Sequence, residues 1–203
     1  MANLNQSDSS KRFITKLQEN LQLSIAAKQE FLGDTAQLQQ FSNAVQLITK
    51  CYQNGGRLYI AGNGGSAADS QHLAAEFVSK LARPRAPLPA EALTVDTSIL
   101  TAIGNDYGFE EVFARQIAGK MGPKDVFLGI TTSGTSRNIV RALEQCKKQN
   151  IPTIVLCGRD GGVVKDMADY CLIAKGEYTS VIQEVHTVLY HSICACVEEA
   201  IFG

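Results

Sequence analysis

The sequence predicts an α/β protein built on a five-stranded parallel sheet with helices on both faces. Three observations carry this reading. Short apolar segments alternate five times with segments of helical periodicity. Several of the apolar segments, DVFLGIT (125–131) and TIVLC (153–157) among them, are continuous runs, as in strands buried on both faces. Two polar turns, at 62–66 and 131–136, follow strand C-termini, and such sheets bind ligands beyond their strand C-termini, at the topological switch point.

Composition narrows the class. With 203 residues and 45% apolar content the chain fits one domain with an ample core, here 35–203, preceded by a helical arm, 1–34. Lys+Arg 19 against Asp+Glu 20 leaves a net charge of −1, so no basic field points to nucleic acid. No apolar run approaches the roughly 18 residues of a membrane span, and the N-terminus lacks a secretory apolar region. The six cysteines form no C-x-x-C pair and sit mostly in apolar stretches, so they read as reduced thiols of a cytoplasmic protein.

In chain order, residues 1–10 are polar and are expected to fray. Phe13, Leu17, Leu21 and Ile25 recur every four residues and predict an amphipathic helix over 11–31. Leu38, Phe41, Val45 and Ile48 predict a second over 35–52, stopped by Asn54-Gly55-Gly56. These helices either cover a domain face or bury a stripe against another copy of the chain. Residues 57–61 form the first strand, 62–65 a tight turn, and a helix follows over 66–82. Three prolines in 83–90 give an extended connector. A short strand is expected at 92–95, a helical turn at 98–103 and a helix at 109–121. Then come a strand at 125–131, a helix at 136–149, a strand at 153–157, a short helix at 161–168, a strand at 170–174 and a long closing helix at 180–202.

The chemistry concentrates at the two turns and on the last helix. A strand, a glycine turn and a helix N-terminus together present free N–H groups and a favourable helix dipole to an anion. Asn63 and Ser66 add donors, although GNGGS matches neither the dinucleotide nor the P-loop pattern. His72 and Glu76 are four apart on one helical face, about 6 Å between Cβ atoms. That spacing suits acid–base or metal chemistry, and it is equally the spacing of an ordinary solvated pair. Thr131, Thr132, Ser133, Thr135 and Ser136 put five hydroxyls beside a helix start, where one suffices for a cap; the excess points to a phosphate monoester. On the last helix, Gln183, Glu184, His186 and His191 are chemically capable. Spacing alone pairs Gln183 with His186, since Gln183 and His191 stand about 12 Å apart along a regular helix.

Five motifs in this order resemble one family: AGNGGSAADSQHLAAE (61–76), AIGNDYGF (102–109), GITTSGTS (129–136), CGRDGG (157–162) and IQEVHTVLYH (182–191). The chain resembles the SIS (sugar isomerase) fold from about residue 35 onward, and within it the bacterial phosphoheptose isomerases. The resemblance implies a SIS-type three-layer sandwich and one zinc per subunit, held by His72, Glu76, Gln183 and His191. It implies Glu76 and His191 as the acid–base pair, preferring His191 to His186. It implies substrate contacts at Asn63, Gly64, Gly65, Ser66, Glu76, Asn105, Asp106, Thr131, Thr132, Ser133, Ser136 and Gln183. It further implies a homotetramer with sites at subunit interfaces, acting on a sugar phosphate and not on nucleic acid or membrane. The expected reaction turns sedoheptulose 7-phosphate into glycero-manno-heptose 7-phosphate. Set beside the 12 Å separation, the family's ligand set leads us to expect His191 to serve a site completed by a neighbouring subunit, unless Gln183 sits on a loop. Two alternatives stand beside this reading: a non-catalytic SIS protein binding the DnaA replication initiator, and an isomerase of another sugar phosphate such as arabinose 5-phosphate. The chain departs from the family's habit at Thr131 for Ser, Lys80 for Arg and Ser180 for Asp.

Overall fold

The computed structural model describes residues 2–203, with side chains from Ser9 onward. Helices α1 (Ala2–Gly33) and α2 (Thr35–Gln53) precede strand β1 (Leu58–Gly62). Then follow α3 (Gly65–Val78), β2 (Ala90–Ala92), α4 (Thr97–Asp106), α5 (Ala114–Lys120), β3 (Val126–Thr131), α6 (Arg137–Gln149), β4 (Thr153–Gly158), β5 (Tyr170–Ala174) and α7 (Thr179–Phe202). The five strands are all parallel, in the order β2-β1-β3-β4-β5. The expected fold class is therefore the observed one.

Two apolar layers sandwich the sheet. Alternate strand residues face opposite sides. Leu58, Ile60, Leu128, Ile130, Ile154 and Leu156 join residues of α2, α3 and α7 in one cluster. Tyr59, Ala61, Phe127, Val155 and Cys157 join residues of α5 and α6 in the other. Every residue of β1, β3 and β4 is buried, which is why these strands read as unbroken apolar runs.

The chain order reverses between β1 and β3, since β2 lies on one side of β1 and β3 on the other. Gly62 pairs in register with Ile130, so β1 and β3 release their following turns side by side at this switch point. At the far edge, β5 leaves backbone N–H groups without a strand partner. The Cys171 N–H donates to Gln40 Oε1 at 3.4 Å and the Ile173 N–H to Gln37 Oε1 at 2.7 Å, both on α2.

Several expected boundaries move, each for a visible reason. The segment expected to fray belongs to α1 from Ala2 onward; Met1 lies outside the described residues. The second strand is 90–92, not 92–95. Its ladder with β1 starts one residue earlier still, where Leu58 N–H donates to the Pro89 carbonyl at 3.1 Å, a role that needs no N–H from proline. The helix expected over 66–82 stops at Val78. The helix expected over 109–121 is a 3₁₀ turn (Phe109–Glu111) and then α5; the bend between them lets Val112 and Phe113 both reach the core. Only a 3₁₀ turn (Val164–Asp166) occupies 161–168, because Gly161 and Gly162 take left-handed φ values of +87° and +53°.

Candidate active site

The site grows from the two turns at the switch point. Neither α3 nor α6 has a side chain capping its N-terminus, so both helix starts keep their dipole ends available. The hydroxyls expected at 131–136 are used among themselves rather than as caps. Thr131 Oγ1 and Ser136 Oγ lie 3.0 Å apart, and Ser133 Oγ accepts from the Thr135 N–H and hydroxyl at 3.2 and 3.1 Å. A reciprocal amide pair ties the turns together: Asn63 Nδ2 donates to Asn138 Oδ1 at 2.9 Å, and Asn138 Nδ2 to Asn63 Oδ1 at 2.7 Å. Asn138 is buried, and nothing in its sequence position announces it, because its partner is far away in the chain.

Glycine is required where neighbours press in. A methyl at Gly65 would lie 2.4 Å from Gln183 Nε2, so the Gln183 amide leans on the first turn of α3. Gly134 has φ +67°, and a methyl there would meet the Gly161 carbonyl oxygen at 2.2 Å. The CGRDGG segment thus forms the back wall of the hydroxyl turn.

The chemical centre stands further along α3 and α7. His72 Nε2 lies 3.0 Å from Glu76 Oε1. The His191 ring centroid is 5.0 Å from that of His72. One potential ligand atom from each of His72, Glu76 and His191 falls within 4.8 Å of the others. Their chemistry, two imidazoles and a carboxylate, is that of a small divalent-metal site or an acid–base cluster. Behind them, the Tyr190 hydroxyl lies 3.2 Å from His72 Nδ1 and 3.5 Å from Asp69 Oδ1. This fixes the imidazole from the side turned away from Glu76, the arrangement by which a second residue orients a ligating His. Burial raises the Asp69 carboxyl above its ordinary range, partly offset by the Tyr190 hydroxyl.

Three expected ligands therefore converge within one chain, and this corrects the distance argument. Gln183 is helical, in α7, and its amide sits at Gly65. His191 does not depart to a neighbour; it joins His72 and Glu76 of its own chain, because α7 runs alongside α3 in the same direction. Asn105 and Asp106, at the end of α4, bond to each other at 2.8 Å and have no hydrogen bond to the triad.

His186 has a different place. It is fully buried and Nε2–H donates to the Cys157 carbonyl at 2.9 Å, while Nδ1 has no partner among the described residues. Burial lowers its pKa from 6.5 to about 4. Above about pH 6.5 both folded and unfolded chains hold it neutral; as pH falls to about 4 only the unfolded chain takes the proton. Stability is therefore expected to drop by on the order of 3 kcal/mol across that window. Urea midpoints from pH 8 to pH 4, with a His186→Gln variant showing the flatter acid limb, check this.

Comparison with known proteins gives the family of the chain. The SIS domain family profile matches residues 22–158. Phosphoheptose isomerase 2 of Campylobacter jejuni is 49% identical over 180 residues, spanning 89% of this chain and 90% of its own. Among solved structures, the phosphoheptose isomerase of Francisella tularensis superposes with a TM-score of 0.87 at 33% identity, over 92% of this chain and 98% of its own. That of Neisseria gonorrhoeae gives 0.82 at 37% identity, over 94% and 98%. The chain belongs to the phosphoheptose isomerase family of SIS-domain proteins.

Proposed function

We propose that this chain converts D-sedoheptulose 7-phosphate to D-glycero-D-manno-heptose 7-phosphate through an enediol, supplying heptose for lipopolysaccharide precursors. The observation that carries the reading is the His72–Glu76–His191 cluster, within 4.8 Å, in which His191 of α7 joins two residues of α3, the helix that starts at an uncapped anion-binding turn. The turn at 131–136, with Asn63, Gly64, Gly65 and Ser66 facing it across the switch point, is the phosphate and sugar cradle. Holding the phosphate there orients the far end of the sugar towards the triad.

The isomerisation moves two protons. One leaves C1 of the ketose as the C2 oxygen gains one, giving the enediol. The O1 hydroxyl then gives up its proton as C2 receives one, leaving the aldehyde. Glu76 and His191 are the pair that carries these protons. His72, Glu76 and His191 fit zinc by donor type, and zinc held there would polarise the carbonyl and steady both reacting oxygens. Gln183, whose amide sits at Gly65, lies where it can bind substrate, about 12 Å along α7 from His191.

Assembly follows from exposed surface. Phe13, Leu17, Leu21 and Ile25 form an apolar stripe on α1 that stays open to solvent in one chain, which supports a homotetramer, while Ala27 and Phe31 at the end of the 1–34 arm join the core of the 35–203 domain. The exposed Asn105–Asp106 pair supports sites at subunit interfaces, reached by this pair from a neighbouring chain. A cytoplasmic setting is supported by six cysteines without a disulfide; among the described residues no helix is long and apolar enough to cross a membrane.

Two measurements test the reading. Turnover of sedoheptulose 7-phosphate in D₂O is expected to leave deuterium at C2 of the product, and chelation followed by zinc is expected to abolish and restore it. Absence of turnover on a panel of ketose phosphates, with or without zinc, rejects the assignment. Ser133→Ala is expected to raise KM for the sugar phosphate while costing about 1 kcal/mol or less of stability, the scale of one lost hydrogen bond. An unchanged KM would put the phosphate elsewhere.

A further inference from the structure

We propose that Arg85 is a positioning residue for the isomerisation, holding Glu76 against His191 through the backbone of α3. The inference rests on the site assignment above. α3 ends at Val78, so Glu76 lies in its last turn, where carbonyls lack helical partners. An unsupported last turn frays, and fraying there would move the Glu76 carboxylate. Arg85, in the proline-rich connector, supplies donors there, beside the Leu88 N–H, which reaches the Phe77 carbonyl at 3.0 Å. Nη2 donates to the Glu76 carbonyl at 2.8 Å, and Nη1 to the Phe77 carbonyl at 2.7 Å and the Ala86 carbonyl at 3.0 Å. Its charge also faces the negative end of the α3 dipole.

The same guanidinium reaches the other helix of the site. Nε donates to Glu198 Oε1 at 2.7 Å, and the Leu81 N–H donates to that oxygen at 3.0 Å. Glu198 follows His191 on α7 by two helical turns and so shares its face. The two side chains are only 1% and 3% exposed. Arg85 thus bolts the end of α3, carrying Glu76, to α7, carrying His191. A buried ion pair kept for stability alone has no need of this aim, since apolar residues of similar volume commonly fill such a place without loss.

The discriminating variant is Arg85→Met with Glu198→Leu, which removes both charges together and the three carbonyl contacts with them. Because the Glu76 carbonyl and the Leu81 N–H lose their partners as well, its unfolding temperature is expected to fall by several degrees with the fold kept. Its kcat is expected to fall about tenfold or more with KM changed less than about twofold, and its zinc dissociation constant, read by chelator competition, to rise about tenfold. Glu198→Gln, which leaves Arg85 on the carbonyls, is expected to keep kcat within about twofold of wild type by the same reasoning. A folded double variant with wild-type kcat and zinc affinity overturns the proposal. If the double variant does not fold, Arg85→Lys reads the same split, because one ammonium cannot span both carbonyls and Glu198; wild-type kcat and zinc affinity there overturn it equally. Wild-type protein that neither binds zinc nor isomerises would sink the site reading itself, and Arg85's role with it.

Discussion

Glu76→Gln is expected to lower kcat by about 10²–10⁴-fold, the range for a lost acid–base group, with the fold intact. The substitution keeps the shape and removes the charge and the proton-carrying capacity. Glu76 is partly exposed and, among the described residues, its side chain bonds only to His72, so no buried partner there is stranded. Zinc content is expected to fall as well, since one of three converging donors becomes a neutral amide. Kinetics, elemental analysis and circular dichroism on one preparation separate these effects. Because Glu76 and His191 meet within one chain, oligomers mixed from Glu76→Gln and His191→Ala chains are expected to stay as inactive as their parents. Recovered activity in assemblies shown by mass spectrometry to be mixed would mean that the pair is built across chains.

Gly134→Ala is expected to be the most damaging single methyl at the cradle. The residue has φ +67°, where a Cβ is strained, and the new methyl would stand 2.2 Å from the Gly161 carbonyl oxygen and 2.5 Å from its carbon. Those are backbone atoms, which cannot rotate out of the way. The Gly134 carbonyl also accepts from the Val164 N–H at 3.1 Å, so any shift breaks that bond too. A loss of about 3 kcal/mol or more is expected, from strain and clash together, read as a lower urea midpoint at unchanged slope. The displaced turn is also expected to raise KM for the sugar phosphate. Ser133→Ala, one residue away, should separate the two effects by raising KM at a stability cost of about 1 kcal/mol or less. A Gly134→Ala protein with the wild-type midpoint would mean that the two turns are not pressed together as described.

What could be read from the sequence followed from locality. β3, β4 and β5 announce themselves because their burial is a property of consecutive residues. The pair His72 and Glu76 was visible because helix geometry fixes it within one turn. What escaped depends on partners far along the chain. The start of β2 is set by its ladder with β1, not by its own apolarity. Asn138 looks like any polar residue in a first helical turn until Asn63 is placed opposite. Arg85 sits in a proline-rich connector that reads as a spacer. Spacing alone favoured His186 over His191, and it was the family resemblance that chose His191; the packing of α7 sets His186 on the β4 carbonyl and His191 beside the carboxylate of α3. The distance argument about Gln183 and His191 was sound as geometry, but it could not say which of the two would leave the centre.

The two glutamines of α2 that meet β5 have a consequence for how copies of this protein can associate. A side-chain carboxamide is a peptide group in miniature, so Gln37 and Gln40 offer the sheet what a sixth strand would offer, from a helix. Residues three apart on a helix and two apart on a strand are spaced closely enough for long side chains to match them. An edge with two of its N–H groups taken in this way is a poorer template for a foreign strand, whose addition is the route to sheet-to-sheet polymerisation. At the opposite edge, β2 is only three residues long and offers little to extend. Association is thereby steered away from open-ended growth along the sheet and towards the helical faces, where symmetric contacts can close on themselves.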